Sequence, residues 1–462
     1  MRRIVLFSLL LWSLAARATA EPKPVSLVLT GGTVITVDPQ RRVIAHGAVA
    51  IDGSRIVAVG EASEVARAFT GRATIDVSGD LVLPGLINTH GHAPMVLYRG
   101  LADDLALMDW LQRYIFPAEA RTVSPAMVRT GTRLAALEMI QSGTTTFTDM
   151  YYFEEAIAEA TKEAGLRAVL GETVIKFPVA DAKTPAESLA RAETFIARFH
   201  GDPLITPAVA PHSAYTLDAA TLIACRDLAV KYGVPLLTHL AETEDEVRII
   251  GEQAHLTPAG YLDSIGFWTP RTLVAHGVWV TDDDIAILAR HHVAVSHNPE
   301  SNMKLASGTA PVPRYLAAGV TVGLGTDGAA SNNDLDMFEA MRQAAFLHKL
   351  QTKDPRVLPA TQALELATIG GAKALGLEAS IGSLEAGKQA DIIVIGTSKA
   401  RLTPLYDPVS QLVYATHGDD VTTTIVNGRI LMLNRRVLTL DEASVLSDAR
   451  IEAQAVRRAV AH

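Results

Sequence analysis

Across the middle of this chain, eight short apolar runs rich in β-branched residues alternate with amphipathic helical stretches. The runs are VLPGLINTH ending at His90, TTTFTDM ending at Met150, RAVLGETV from Arg167 and ITPAVAPH ending at His212. They continue with PLLTHLAE ending at Glu242, TLVAHGV ending near Val278, VAVSHNP ending at Pro299 and TVGLGTDG ending at Gly328. Such alternation predicts a parallel sheet covered by helices, because parallel neighbours need a crossover between them. Eight units is the number that closes into a (β/α)8 TIM barrel, so the fold class is α/β. Helix signals sit between the runs: EEAIAEATKEAG follows Tyr152, and TDDDIAILARHH opens on Thr281, an N-cap with acids in its first turn.

Glycine- and aspartate-punctuated strands flank this middle: VSLVLTGGTVITVD and AVAIDGSRIVAVG before it, ADIIVIG and TTTIVNGRILML after it. They predict antiparallel hairpins from both termini, joined in one small β-sandwich domain over residues 21–84 and 381–440. The barrel then occupies 85–380, and 441–462 forms a C-terminal helical tail. Residues 1–20 have a basic start, an apolar stretch and a small-x-small ending, the pattern of a secretory signal peptide. An exported protein, periplasmic or secreted, is expected; an uncleaved anchor is the alternative, and no later stretch is apolar enough for stable membrane insertion.

With 41 Lys and Arg against 50 Asp and Glu, the net charge is −9, which disfavours nucleic acid as a partner and leaves a small molecule as the expected ligand. The single cysteine, Cys225, excludes an intramolecular disulfide and reads as a small buried residue in a helix.

Nearly every strand candidate ends in ionisable groups: His90 and His92, His212, His239 and Glu242, His276, His297, and Asp327. In a parallel barrel those ends share one face, where active sites are assembled. His90 and His92, two residues apart in extended chain, can point the same way. Together with His239 and Asp327 they give three nitrogens and a carboxylate with an open position, a set that suits one divalent metal ion, zinc above all. Glu242, three residues past His239, is placed to move a proton between water and a substrate nitrogen. His276 can orient the attacking water, and Asp327 can bind the metal and also accept a proton. Glu244, Asp245 and Glu246 read as surface acids opening the next helix.

The segments PGLINTHGHAPM, THLAETEDEV, LVAHGVWV, SHNPESNMKLASGTAPVPRYLAAG and GLGTDGAASNNDLDMFEAMR, with the tail SIGSLEAGKQADIIVI, resemble the amidohydrolase superfamily. Within it they are most similar to the methylthioadenosine/S-adenosylhomocysteine deaminase group and to its neighbours, the triazine hydrolases. The likeness covers residues 27–433. It implies one zinc or iron on His90, His92, His239 and Asp327; the lysine that bridges two metals in binuclear relatives is missing where the fourth strand ends in Ala210-Pro211-His212. It also implies that Glu119 holds ribose hydroxyls, that Trp110 packs on the base, and that His212, Glu242 and Ser331 contact the ligand. His297 either touches substrate or shapes the end of its strand.

In one branch of the deaminase group, arginines after the third strand bind the carboxylate of the homocysteine tail. Here Gly171 and Glu172 stand there, which favours a neutral nucleoside on the expectation that Glu172 would repel a carboxylate. The implied activity is hydrolytic deamination of an adenine-type nucleoside, of the methylthioadenosine, adenosine or S-adenosylhomocysteine class. Hydrolysis of a triazine, another substituted heterocycle or a cyclic amide is the alternative enzyme, and a binding or scaffold protein the non-enzymatic one. A homo-oligomer is expected.

Overall fold

The structure is a computed structural model that describes residues 21–460; the signal-like segment over 1–20 lies outside them. Eight parallel strands form the barrel: β1 (Leu86–Asn88), β2 (Thr144–Tyr151), β3 (Arg167–Val174), β4 (Ile205–Pro211), β5 (Leu236–Leu240), β6 (Thr272–His276), β7 (Ala294–His297) and β8 (Val322–Leu324). Each pairs with its sequence neighbour, in the order the eight apolar runs predict. Thr89, just past β1, donates its N–H to the Leu324 carbonyl at 2.9 Å and so brings the first and last strands together. The barrel interior is filled by a layer of modest side chains, including Ile87, Val169, Ala210, Leu237, Leu273 and Ala294. Small and branched aliphatic residues fit there because eight strands enclose an interior just wide enough for side chains to fill.

Local chemistry sets the helix boundaries. Ser124, Thr184, Asp218, Thr243, Thr257 and Thr281 each accept a backbone N–H from the first turn of the helix they precede. Thr281 and Asp284 complete a reciprocal capping box. Each such cap is worth about 1 kcal/mol. Gly143 and Gly165, at φ +87° and +89°, end the helices Pro125–Ser142 and Glu154–Ala164 in the left-handed conformation and turn the chain into β2 and β3.

The two ends of the chain meet in one continuous mixed sheet of nine strands, which is how the expected sandwich is realised. Lys23–Ile35 alone pairs with three neighbours, Val43–Asp52, Phe69–Asp76 and Leu81–Pro84. Leu81–Pro84 then pairs antiparallel with Ile392–Ile395, joining N-terminal to C-terminal strands. Leu29, Val49, Ile51, Ile392 and Ile425 are buried in this sheet's own core. Arg167, at the start of β3, binds Asp391 through two nitrogens at 2.8 and 3.2 Å, so a buried ion pair ties sheet to barrel. Glu442–Val460 forms a terminal helix that buries Val445, Ala449 and Val456. No helix among the described residues is long and apolar enough to cross a membrane.

Candidate metal centre and substrate pocket

The carboxyl ends of the barrel strands enclose one pocket. Its wall includes His92, His212, His239, Glu242, His276 and Asp327, from the first, fourth, fifth, sixth and eighth strands. His90 lies beneath them, its ring centroid 4.9 Å from His92, 5.0 Å from His239 and 5.4 Å from His276. The ligand atoms of His90, His92 and Asp327 lie within 4.8 Å of one another, and so do those of His90, His239 and His276.

Outer contacts decide which ring nitrogen faces the centre. His92 Nδ1 is 2.8 Å from the Met150 carbonyl, and His239 Nδ1 is 2.9 Å from the His212 carbonyl. A carbonyl can only accept, so each Nδ1 carries the proton and each Nε2 presents a lone pair inward. His90 Nε2 is buried without a hydrogen-bond partner among the described residues, with Asp327 Oδ1 at 3.4 Å; His92 Nε2 is also 3.4 Å from that oxygen. Burial keeps these imidazoles neutral: it drives His90 down to about 4 against the pull of Asp327, and His239 well below its ordinary range. Burial opposes ionising Asp327, but the surrounding histidines, His90 first, hold it well below the usual carboxylate range. Ser301 Oγ and the Gly328 N–H, each at 2.7 Å, donate to it. Neutral nitrogens, an orphaned Nε2 and an ionised carboxylate, gathered in two groups that share His90, fit a divalent metal ion.

Two of these residues sit on strained backbone, His276 at φ +72° and Asp327 at φ +67°. Leu273 belongs to the barrel interior and Val274 to the helix-facing core, so simple alternation would turn His276 outward. The left-handed step brings its ring into the pocket instead, a strain of the kind concentrated at functional sites. His276 Nδ1 donates to Asn302 Oδ1 at 2.9 Å. Its Nε2 lies 3.7 Å from Glu242 Oε2 and 3.9 Å from Asp327 Oδ2. Burial disfavours charging His276, but those two carboxylates outweigh it and raise its pKa. Glu242 is buried, and desolvation lifts its carboxyl to about 7, with His276 pulling the other way.

The remaining wall is largely apolar, with Leu107, Trp110, Ile115, Phe116 and Leu305. Trp110 ends the helix Leu107–Trp110 and leads into a π-helical turn, Leu111–Ile115; its indole N–H is buried without a partner among the described residues. Glu119, one helix further on, also lines the pocket, and Tyr151 donates to its Oε1 at 2.7 Å. Burial raises Glu119 to about 7. His212, whose Nδ1 faces the Ser213 hydroxyl at 3.1 Å, and Ser331 complete the wall, both where the sequence puts them. Tyr151 lies outside the predicted strand: β2 runs one residue past Met150, and the aromatic at its tip is the signal that marks it.

Three expectations need correction. His297 does not reach the pocket. Ser296 faces inward, its Oγ 2.6 Å from Thr89 Oγ1, so His297 faces outward, where its Nε2 meets His348 Nε2 at 3.2 Å. By the same alternation Thr173 lines the pocket and Glu172 turns away, bound to Arg191 Nε at 3.1 Å, so Glu172 cannot repel a bound ligand. Among the described residues no lysine or arginine lines the pocket. Finally, Glu244 and Asp245 are exposed, but Glu246 is buried and accepts the Glu242 N–H at 3.2 Å, which steadies the segment bearing Glu242.

The amidohydrolase family model matches residues 81–431. A methylthioadenosine/S-adenosylhomocysteine deaminase of Syntrophobacter fumaroxidans is 47% identical over 431 residues, covering 93% of this chain and 98% of that protein. A zinc-bound adenosine deaminase structure from Xanthomonas campestris superposes with TM-score 0.93 at 39% identity, covering 95% of this chain and 100% of that one. A zinc-bound atrazine chlorohydrolase from Arthrobacter aurescens superposes at 0.85 with 27% identity, covering 92% and 100%. With a barrel, a histidine–aspartate centre and a family match over most of its length, the chain belongs to the amidohydrolase family.

Proposed function

We propose that this protein is a hydrolytic deaminase of adenine-type nucleosides with a neutral 5′ group, methylthioadenosine and adenosine before S-adenosylhomocysteine. The observation that carries the reading is the pairing of two buried carboxyls in one pocket that no lysine or arginine among the described residues lines: Glu242 beside the histidine–aspartate centre, and Glu119 held by Tyr151. His90, His92, His239 and Asp327 would hold one zinc ion, the metal named for the similar solved structures. When bound, such an ion supplies a Lewis acid that lowers the pKa of water toward neutrality.

The chain's own groups account for the rest. Glu242, its carboxyl raised by burial, can take a proton from water and return it to a ring nitrogen, since a group poised near the working pH does both tasks well. Protonating that nitrogen makes the amino-bearing carbon electrophilic. The water oxygen becomes the ring carbonyl and the amino group departs as ammonia. His276, whose charged form is favoured by Glu242 and Asp327, stabilises negative charge as it develops. Glu119 accepts the ribose hydroxyl protons, and Trp110 packs against the base.

The triazine reading shares the centre and Glu242, but leaves Glu119 without a task. The signal-like segment supports export and salvage of external nucleosides, and we also propose a homo-oligomer. Ammonia release from a panel of methylthioadenosine, adenosine, S-adenosylhomocysteine, pterins and triazines tests the assignment. Methylthioadenosine should exceed S-adenosylhomocysteine in kcat/KM. The reverse order contradicts the reading drawn from a pocket without cations, and triazines as best substrates contradict the deaminase reading itself.

A further inference from the structure

Two buried carboxyls meet just behind the pocket wall. Asp149 is near the end of β2, and Glu154 is the first residue of the helix Glu154–Ala164. Asp149 Oδ2 accepts the Ala93 N–H, and Glu154 Oε1 accepts the Tyr151 N–H at 2.9 Å. Among the described residues their other oxygens, Asp149 Oδ1 and Glu154 Oε2, are buried with no N–H or hydroxyl partner, and the two carboxyls lie within hydrogen-bonding reach of each other. Among the described residues, the nearby guanidinium of Arg191 is bound to Glu155, Glu172 and Asp181.

Two carboxylates facing each other without a cation cannot both stay ionised in a buried site. One proton between them turns the repulsion into a charge-assisted hydrogen bond. Burial pushes both carboxyls up, and the charge of Asp149 pushes Glu154 further.

The backbone held by this pair connects both halves of the pocket. Ala93 follows His92, whose Nδ1 donates to the carbonyl of Met150; Tyr151, next along, donates its hydroxyl to Glu119. We propose that Asp149 and Glu154 share a single proton and act as positioning residues for His92 and, through Tyr151, for Glu119. This rests on reading His92 as a metal ligand.

The prediction is a specific non-additivity. In D149N or E154Q the new amide accepts the same backbone N–H and donates to the remaining carboxylate, so one donor still stands between two acceptors. Each single variant should keep zinc affinity, measured by chelator competition, within about threefold of wild type. In D149N/E154Q two amide NH2 groups face each other with no acceptor. Its zinc affinity should fall by about 10- to 100-fold, the usual cost of losing the groups that orient a metal ligand. Its thermal midpoint should drop by more than the singles together. Infrared difference spectra of wild type minus E154Q should show a protonated-carboxyl stretch at neutral pH.

A double variant that fails to fold while both singles fold supports the same coupling. A double variant no worse than the combined singles, a tenfold loss in either single, or no protonated-carboxyl band overturns the proposal. If wild type binds no zinc, the metal reading falls, while the melting and infrared results still decide the shared proton.

Discussion

Replacing Glu242 by Gln removes a proton carrier while keeping the side chain's size, and the structure fixes what should follow. Glu242 is buried at the pocket wall, 3.7 Å from His276, and lies outside both groups of residues spaced to ligate a metal. E242Q should therefore retain its metal. General acid–base groups contribute about 10²- to 10⁴-fold, so kcat should fall by about 10³-fold, equivalent to about 4 kcal/mol of barrier, with little change in KM. The pH profile gives a second handle. Burial lifts Glu242 to about 7, with Asp327 adding to the rise. Its carboxylate is the form that accepts a proton, so kcat/KM should fall as pH drops. A bound cation stabilises that carboxylate, so in the metal-loaded enzyme the fall begins below pH 7. Steady-state ammonia release between pH 5 and 9 reads both effects, with metal content measured alongside. A loss below about tenfold, or an acid limb that persists unchanged in E242Q, would refute the assignment of Glu242.

Glu119, also raised to about 7 by burial, must be ionised to accept two hydroxyl protons. KM for nucleosides should therefore rise as pH falls below 7, and E119Q should raise KM by about 10- to 100-fold while flattening that dependence, as expected for losing hydrogen bonds to a charged group. H297A removes a buried ring that packs against His348 outside the pocket, so KM should hold while stability falls by about 2–5 kcal/mol in a denaturant melt. A large KM change would return His297 to the substrate.

The barrel was legible because each strand announces itself as an apolar run and the runs alternate with well-capped helices. The gathering of His90, His92, His239 and Asp327 was legible because they interrupt those runs at their carboxyl ends. What could not be read was which way a side chain turns at a strand tip. His297 and Glu172 follow the pleat outward, whereas His276 is turned inward by a left-handed residue that no local pattern predicts. The burial of Glu246, and the contact between Asp149 and Glu154, depend on how helices seat against the barrel, which is a tertiary matter. Tyr151 fell just outside the predicted limit of β2.

The central claim is that His90, His92, His239 and Asp327 share one metal ion. Metal analysis of the purified protein, followed by the same analysis of H239A, tests it most directly. The wild type should hold about one equivalent of zinc per chain, and H239A should lose both metal and turnover. Full activity in a metal-free wild type, or an H239A variant that keeps its metal and its rate, would contradict it.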